Sequence, residues 1–151
     1  MSKYLIHIHS GPELKNKATL GMLVALTAFK QGNEVKIFLA ADGTHLLNIK
    51  SEGEVVGLGT GDLKNHLDEL KQNGIKLYVS GMSAKARGYD ESLLNGFNAE
   101  FAMPEKLLEV STESDSVLCY WVTSSRGSWL KRSSIIRDVL RFYNYTRFVE
   151  K

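Results

Sequence analysis

The chain has 151 residues, enough to bury a full hydrophobic core without disulfide or metal staples. With 43% hydrophobic and 24% charged residues and a net charge of +2, its composition is that of an ordinary globular domain and points to neither a membrane nor nucleic acid as a partner. The single cysteine, Cys119, excludes an intramolecular disulfide and any cysteine-rich metal site, and it fits a reducing compartment.

Residues 4–9 form a β-prone run that stops at the turn Ser10-Gly11-Pro12. Pro12 suits the first turn of a helix with Ser10 or Gly11 as its cap. Apolar residues at Leu14, Ala18, Met22, Ala25, Leu26 and Phe29 then predict a helix over 13–31, closed by Gly32-Asn33. Residues 35–40 read as a second strand running into Asp42-Gly43. A short helix is expected at 44–50. The glycines at 53, 57, 59 and 61 predict a flexible connection with a short strand at 55–56. Leu63, Leu67 and Leu70 share one face of a helix over 62–72, with Asn73-Gly74 as its stop. Residues 75–79 are a further strand, ending at Ser80-Gly81. Short helices follow at 90–94 and from Pro104 through 108, and 116–121 is the last strand.

This alternation predicts an α/β fold. It is a three-layer α/β/α sandwich with a mostly parallel sheet of four or five strands, helices on both faces and right-handed crossovers. The apolar stretch at 22–29 is too short to span a bilayer, and the N-terminus lacks the pattern of a cleaved leader, so a cytoplasmic protein is expected. Residues 122–151 stand apart as a C-terminal extension of the 1–121 domain. They carry seven basic and two acidic residues, against twelve and fifteen before them. Leu130, Ser133, Ile136, Val139, Leu140 and Tyr143 give them an amphipathic helical pattern with an arginine-rich opposite face. Packing on the domain or on a neighbouring subunit is favoured for this segment over docking to RNA or to an acidic partner.

Ligands of open parallel sheets bind beyond the carboxyl ends of the strands. Three loops therefore share one rim: His9-Ser10-Gly11, Asp42-Gly43-Thr44-His45, and the loop from Ser80 to Gly88. The segment Val79-Ser80-Gly81-Met82-Ser83-Ala84-Lys85-Ala86-Arg87-Gly88 resembles the strand-to-loop motif of DsrE/DsrF-like proteins, which in one branch runs Cys-Gly-x-Cys-x-x-Ala-Arg-Gly. The other landmarks agree in order, and the resemblance covers residues 3–121. It implies a DsrEFH-like, flavodoxin/Rossmann-like fold, a homo-oligomer (trimer or hexamer), and kinship with intracellular sulfur-relay proteins, with a protein partner in such a pathway. The departure is chemical. Ser80 stands where relay members carry the acceptor cysteine, and Ser83 where some carry a second. A persulfide needs a thiolate, which cysteine supplies near pH ~8.5 before any tuning. A serine hydroxyl cannot hold a transferable sulfur.

The expected function is thus a non-catalytic binding or accessory member, with no cofactor. Its ligand-binding rim is Ser80, Gly81, Met82, Ser83, Arg87, Asp42, His45 and His9. Arg87 suits a carboxylate or phosphate, or else a structural salt bridge. One alternative is an active sulfurtransferase using Cys119 or a partner's thiol. Another is a small-anion or nucleotide binder unrelated to sulfur. Cys119 lies in a strand between apolar neighbours and is expected to be a small buried hydrophobe. His7 and His9 alternate with isoleucines and so share a strand face. One core and one rim histidine are expected, not a metal site, because the spacing matches no compact metal motif. A serine hydrolase would need a base within reach of Ser80 or Ser83. The run Gly57-Leu58-Gly59-Thr60-Gly61 follows no clear strand and has Asp62 where a dinucleotide fingerprint needs its third glycine, so a flexible loop is expected.

Overall fold

The computed structural model describes residues 1–48 and 55–120, so the expectations for 49–54 and for the extension at 122–151 lie outside the described residues. In chain order, strand β1 (Lys3–Ile8) leads through a 3-10 turn at Pro12–Leu14 into helix α1 (Lys15–Lys30) and strand β2 (Glu34–Leu39). A second 3-10 segment, Ala41–Leu47, follows β2. The short strands β3 (Val56–Gly57) and β4 (Gly61–Asp62) form an antiparallel hairpin, succeeded by α2 (Leu63–Gln72) and β5 (Lys76–Ser80). Helix α3 (Gly81–Ala86), a 3-10 turn at Glu91–Leu94, β6 (Ala99–Ala102), α4 (Pro104–Thr112) and β7 (Ser116–Tyr120) complete the series.

The main sheet has the order β6-β5-β2-β1-β7, and every pair in it is parallel. Its central strands are buried on both faces, which is why they read as nearly unbroken apolar runs. On one face Ile6, Ile8, Ile37, Leu39, Leu77 and Val79 pack with Ala18, Met22 and Ala25 of α1 and Leu63, Leu67 and Leu70 of α2. On the other, Leu5, Phe38, Tyr78 and Ala102 pack against Val110 of α4. The result is the expected three-layer α/β fold. Each fully buried Leu or Ile contributes about 1.5–3 kcal/mol of transfer free energy.

Local chemistry sets the ends of these elements. Gly32 at the end of α1 has φ 81°, and the N–H groups of Gly32 and Asn33 donate back to Phe29 and Ala28. Asp62 caps α2 by accepting from the Lys64 N–H.

Three local features differ from expectation. Residues 99–102 form an edge strand that periodicity does not predict. The stretch after Ser80 is helix α3, not a loop. Residues 56–62 form a tight hairpin, not a flexible connection. In the hairpin a Cβ at Gly57 would meet the Thr19 and Thr60 hydroxyls, so the turn is packed against α1. No helix of the described residues is long and apolar enough to cross a membrane.

Candidate functional site

Parallel pairing brings the ends of β1, β2 and β5 side by side, and the three loops interlock there. The Gly43 N–H donates to the His9 carbonyl at 3.0 Å, tying the second loop to the first. Gly11 lies so close to Asp42 that a Cβ there would sit 2.8 Å from the Asp42 carbonyl oxygen. Between the second and third loops, the Ala41 N–H donates to Ser83 Oγ at 3.0 Å. Arg87 donates to Asp42 Oδ1 at 2.6 Å and to the Ser83 carbonyl at 3.1 Å.

The two serines are thus hydrogen-bonded parts of the scaffold. Ser80 is the N-cap of α3, its hydroxyl accepting from the Ser83 N–H at 3.3 Å. Ser83 Oγ in turn holds Ala41, the one non-glycine residue among those described with positive φ, at 49°. Such a conformation costs about 1–2 kcal/mol, and strained residues of this kind persist only where their surroundings fix them. The Ser83 hydroxyl supplies part of that fixing, at the turn that presents Asp42 and His45.

Neither histidine of the rim serves a serine. His45 Nδ1 lies 2.6 Å from the Tyr89 hydroxyl, which Asn48 Nδ2 also approaches at 3.3 Å. His9 Nε2 lies 3.3 Å from His7 Nδ1, with the rings 3.9 Å apart. His7 is the core member of that pair, as expected. Burial, and secondarily the charge of His9, push its pKa down to about 4. Burial lowers His9 as well. With both bases committed elsewhere, the described residues do not form the triad geometry a serine nucleophile requires. Among the described residues no group of three or more His, Cys, Asp or Glu side chains is placed to hold a metal.

Arg87 is three-quarters covered, whereas Asp42 is more than half exposed. The guanidinium is therefore buried behind a carboxylate that solvent can reach. Gly81 and Ser80 are half-buried and Met82 is 60% exposed, so the third loop offers an apolar lip to solvent. Beyond Gly88 the rim opens into a cavity of about 560 Å³, bordered by Asn48, Lys71, Tyr89, Asn95 and Phe97, with Lys71 Nζ 4.2 Å from the Phe97 ring centre. Sequence reasoning misses Tyr89 and this cavity. An aromatic residue directly after the Ala86-Arg87-Gly88 element is the signal that marks them.

Cys119 is not the buried hydrophobe expected from its neighbours. It is exposed, because β7 is the last strand of the sheet. Partial burial against the sheet nonetheless pushes its thiol pKa up, which leaves less thiolate rather than more.

The fold has a counterpart among solved structures, and the sequence has relatives. The chain is 30% identical over 122 residues to an uncharacterized protein of Methanocaldococcus jannaschii, covering 78% of this chain and 99% of that one. It is 32% identical over 117 residues to an uncharacterized protein of Methanopyrus kandleri, covering 75% and 89%. The crystal structure of the ychN protein of E. coli superposes with a TM-score of 0.64 at 15% identity, over 80% of this chain and all of that one, which shows a common fold. The DsrE/DsrF-like family model matches residues 2–120, from the first strand through the last. The chain therefore belongs to the DsrE/DsrF-like family.

Proposed function

We propose that this protein is a binding or accessory member of its family, related to sulfur-relay proteins but without sulfur transfer at the rim. The observation that carries this reading is the use of the two hydroxyls. Ser80 caps α3 and Ser83 holds the strained Ala41 turn, so each serine acts as a hydrogen-bonding strut where a relay protein needs a free thiolate. The swap keeps the shape of the rim and removes its nucleophile.

The ligand this rim suits is a small carboxylate or phosphate. Arg87 is held in place by the Ser83 carbonyl, and its only carboxylate partner among the described residues, Asp42, is solvent-exposed and displaceable. His45 and Tyr89 would line the approach, with Ser80, Gly81, Met82 and His9 around it. In this account the protein works in the cytoplasm as a homo-oligomer, a trimer or hexamer, and presents the rim to a protein of a sulfur-transfer pathway.

The charge arrangement gives a signed prediction. In thermal-shift titrations with small organic acids and inorganic phosphate, Arg87→Ala removes the stabilisation. Asp42→Asn strengthens it several-fold, because the competing carboxylate is gone. Anion stabilisation that survives Arg87→Ala, or that is lost in Asp42→Asn, places the ligand elsewhere.

A further inference from the structure

Strand β7 closes one end of the sheet with apolar side chains that nothing described covers. Val117 is 40% exposed, and Cys119 is exposed. Registered pairing places Val117 beside Leu5 and Cys119 beside His7, so both project to the face on which α4 packs. On that face the buried cluster takes in β1, β2, β5 and β6 but no residue of β7. The opposite face has two helices, α1 and α2, over the same five strands. A helix is roughly 10 Å across and strands lie roughly 4.8 Å apart, so one nine-residue helix cannot shield five strands. An uncovered apolar edge strand is a template for unwanted pairing unless a helix or loop lies over it.

The chain itself supplies an occupant. It leaves β7 at this edge and runs on from 121 to 151, beyond the family match that ends at 120. That stretch contains the amphipathic pattern of Leu130, Ile136, Val139, Leu140 and Tyr143. Over the 14 residues from Leu130 to Tyr143 a helix would be about 21 Å long, enough to run the full length of a strand. Charge agrees. Residues 104–115 carry four acids, Glu105, Glu109, Glu113 and Asp115, against the single Lys106; Lys106 pairs with Glu109 and Lys36 with Glu113, which still leaves this flank net acidic. The extension carries seven basic residues against two acidic ones.

We propose that residues 122–151 fold back onto the α4 side of β7 as a second helix of that layer. Its apolar stripe lies over Val117 and Cys119, and its basic face lies along the acidic flank of α4. The extension thereby shields the chain's only thiol, and the third layer becomes complete only with it. This inference is independent of what the rim binds.

Cys119 is a native reporter. In the full-length protein its labelling by a maleimide is expected to be at least tenfold slower than in an Ile136→Asp/Leu140→Asp variant, at every protein concentration. Equal rates in the two proteins overturn the proposal. So does protection that fades on dilution and ignores the substitutions, since a second copy would then be the cover. Should the double variant fail to fold, zero-length carbodiimide cross-linking of the unmodified chain decides. Intramolecular links from Lys131 to Glu105, Glu109 or Glu113 support the docked extension. Links between copies only, or none to these residues, refute it.

Discussion

Replacing Gly43 by alanine is expected to cost about 3 kcal/mol of stability and to abolish ligand binding at the rim. The reason is steric. A Cβ at Gly43 would lie 2.4 Å from the Ile8 carbonyl oxygen and 3.1 Å from the Ile8 carbonyl carbon, both backbone atoms at the end of a central strand. Backbone in the middle of a parallel sheet cannot yield, so the 41–47 turn has to move. Moving it breaks the Gly43 N–H bond to His9 and the Ala41 N–H bond to the Ser83 hydroxyl, and so disturbs the residue whose carbonyl positions Arg87. Gly81 is the control. Its added Cβ would meet nothing nearer than the Phe101 Cβ at 3.7 Å, an ordinary contact, so Gly81→Ala stays within about 0.5 kcal/mol of the parent. Denaturant midpoints for the two variants check both statements. A stable Gly43→Ala protein with intact anion binding would mean that the three loops are not mutually dependent.

Acidification is expected to destabilise the protein through His7. In the unfolded chain this imidazole takes up a proton near pH 6.5, but in the folded protein it does so only near pH 4. Between those values the unfolded state binds more protons, so stability falls as pH falls through the window, by roughly 3 kcal/mol in all. The cause is structural. His7 is only 8% exposed, sits edge-on to Phe38, and its Nε2 has no partner among the described residues. Protonation would therefore leave a buried charge beside a second histidine. His7→Phe keeps a ring in the site and removes the titration. Its stability, measured from near-neutral pH down to about pH 4.5, should lose most of the slope seen in the parent, leaving the smaller contribution of His9. Parallel pH profiles for the two proteins would contradict this account.

What the sequence discloses, and what it hides, follows from how each element is stabilised. Strands β1, β2 and β5 are legible because burial on both faces leaves no polar alternation to confuse with a helix. Helices α1 and α2 are legible because glycines end them. The rim is legible as well, since parallel connectivity alone puts the strand ends together, and the contacts of Ser83 with Ala41 and of Arg87 with Asp42 realise that expectation. Strand β6 escapes because Ala99-Glu100-Phe101-Ala102 is four residues at an edge, stabilised by one neighbour. Helix α3 escapes because six residues are too few to show a period. The serine that caps it is its only mark. Cys119 misleads because its apolar neighbours look like core, and position at the sheet edge is a property of strand order that no local pattern carries. Tyr89 escapes because its tie to His45 spans 44 residues.

In the proposed function, oxygen stands in for sulfur at the Ser80–Ser83 loop. Intact mass spectrometry of the full-length protein after incubation with a sulfane-sulfur donor tests it most directly. The parent chain is expected to keep its mass, and the Ser80→Cys chain to gain one sulfur, about 32 Da. A stable adduct on the parent chain that disappears in Cys119→Ser would contradict the account and identify an active sulfur carrier.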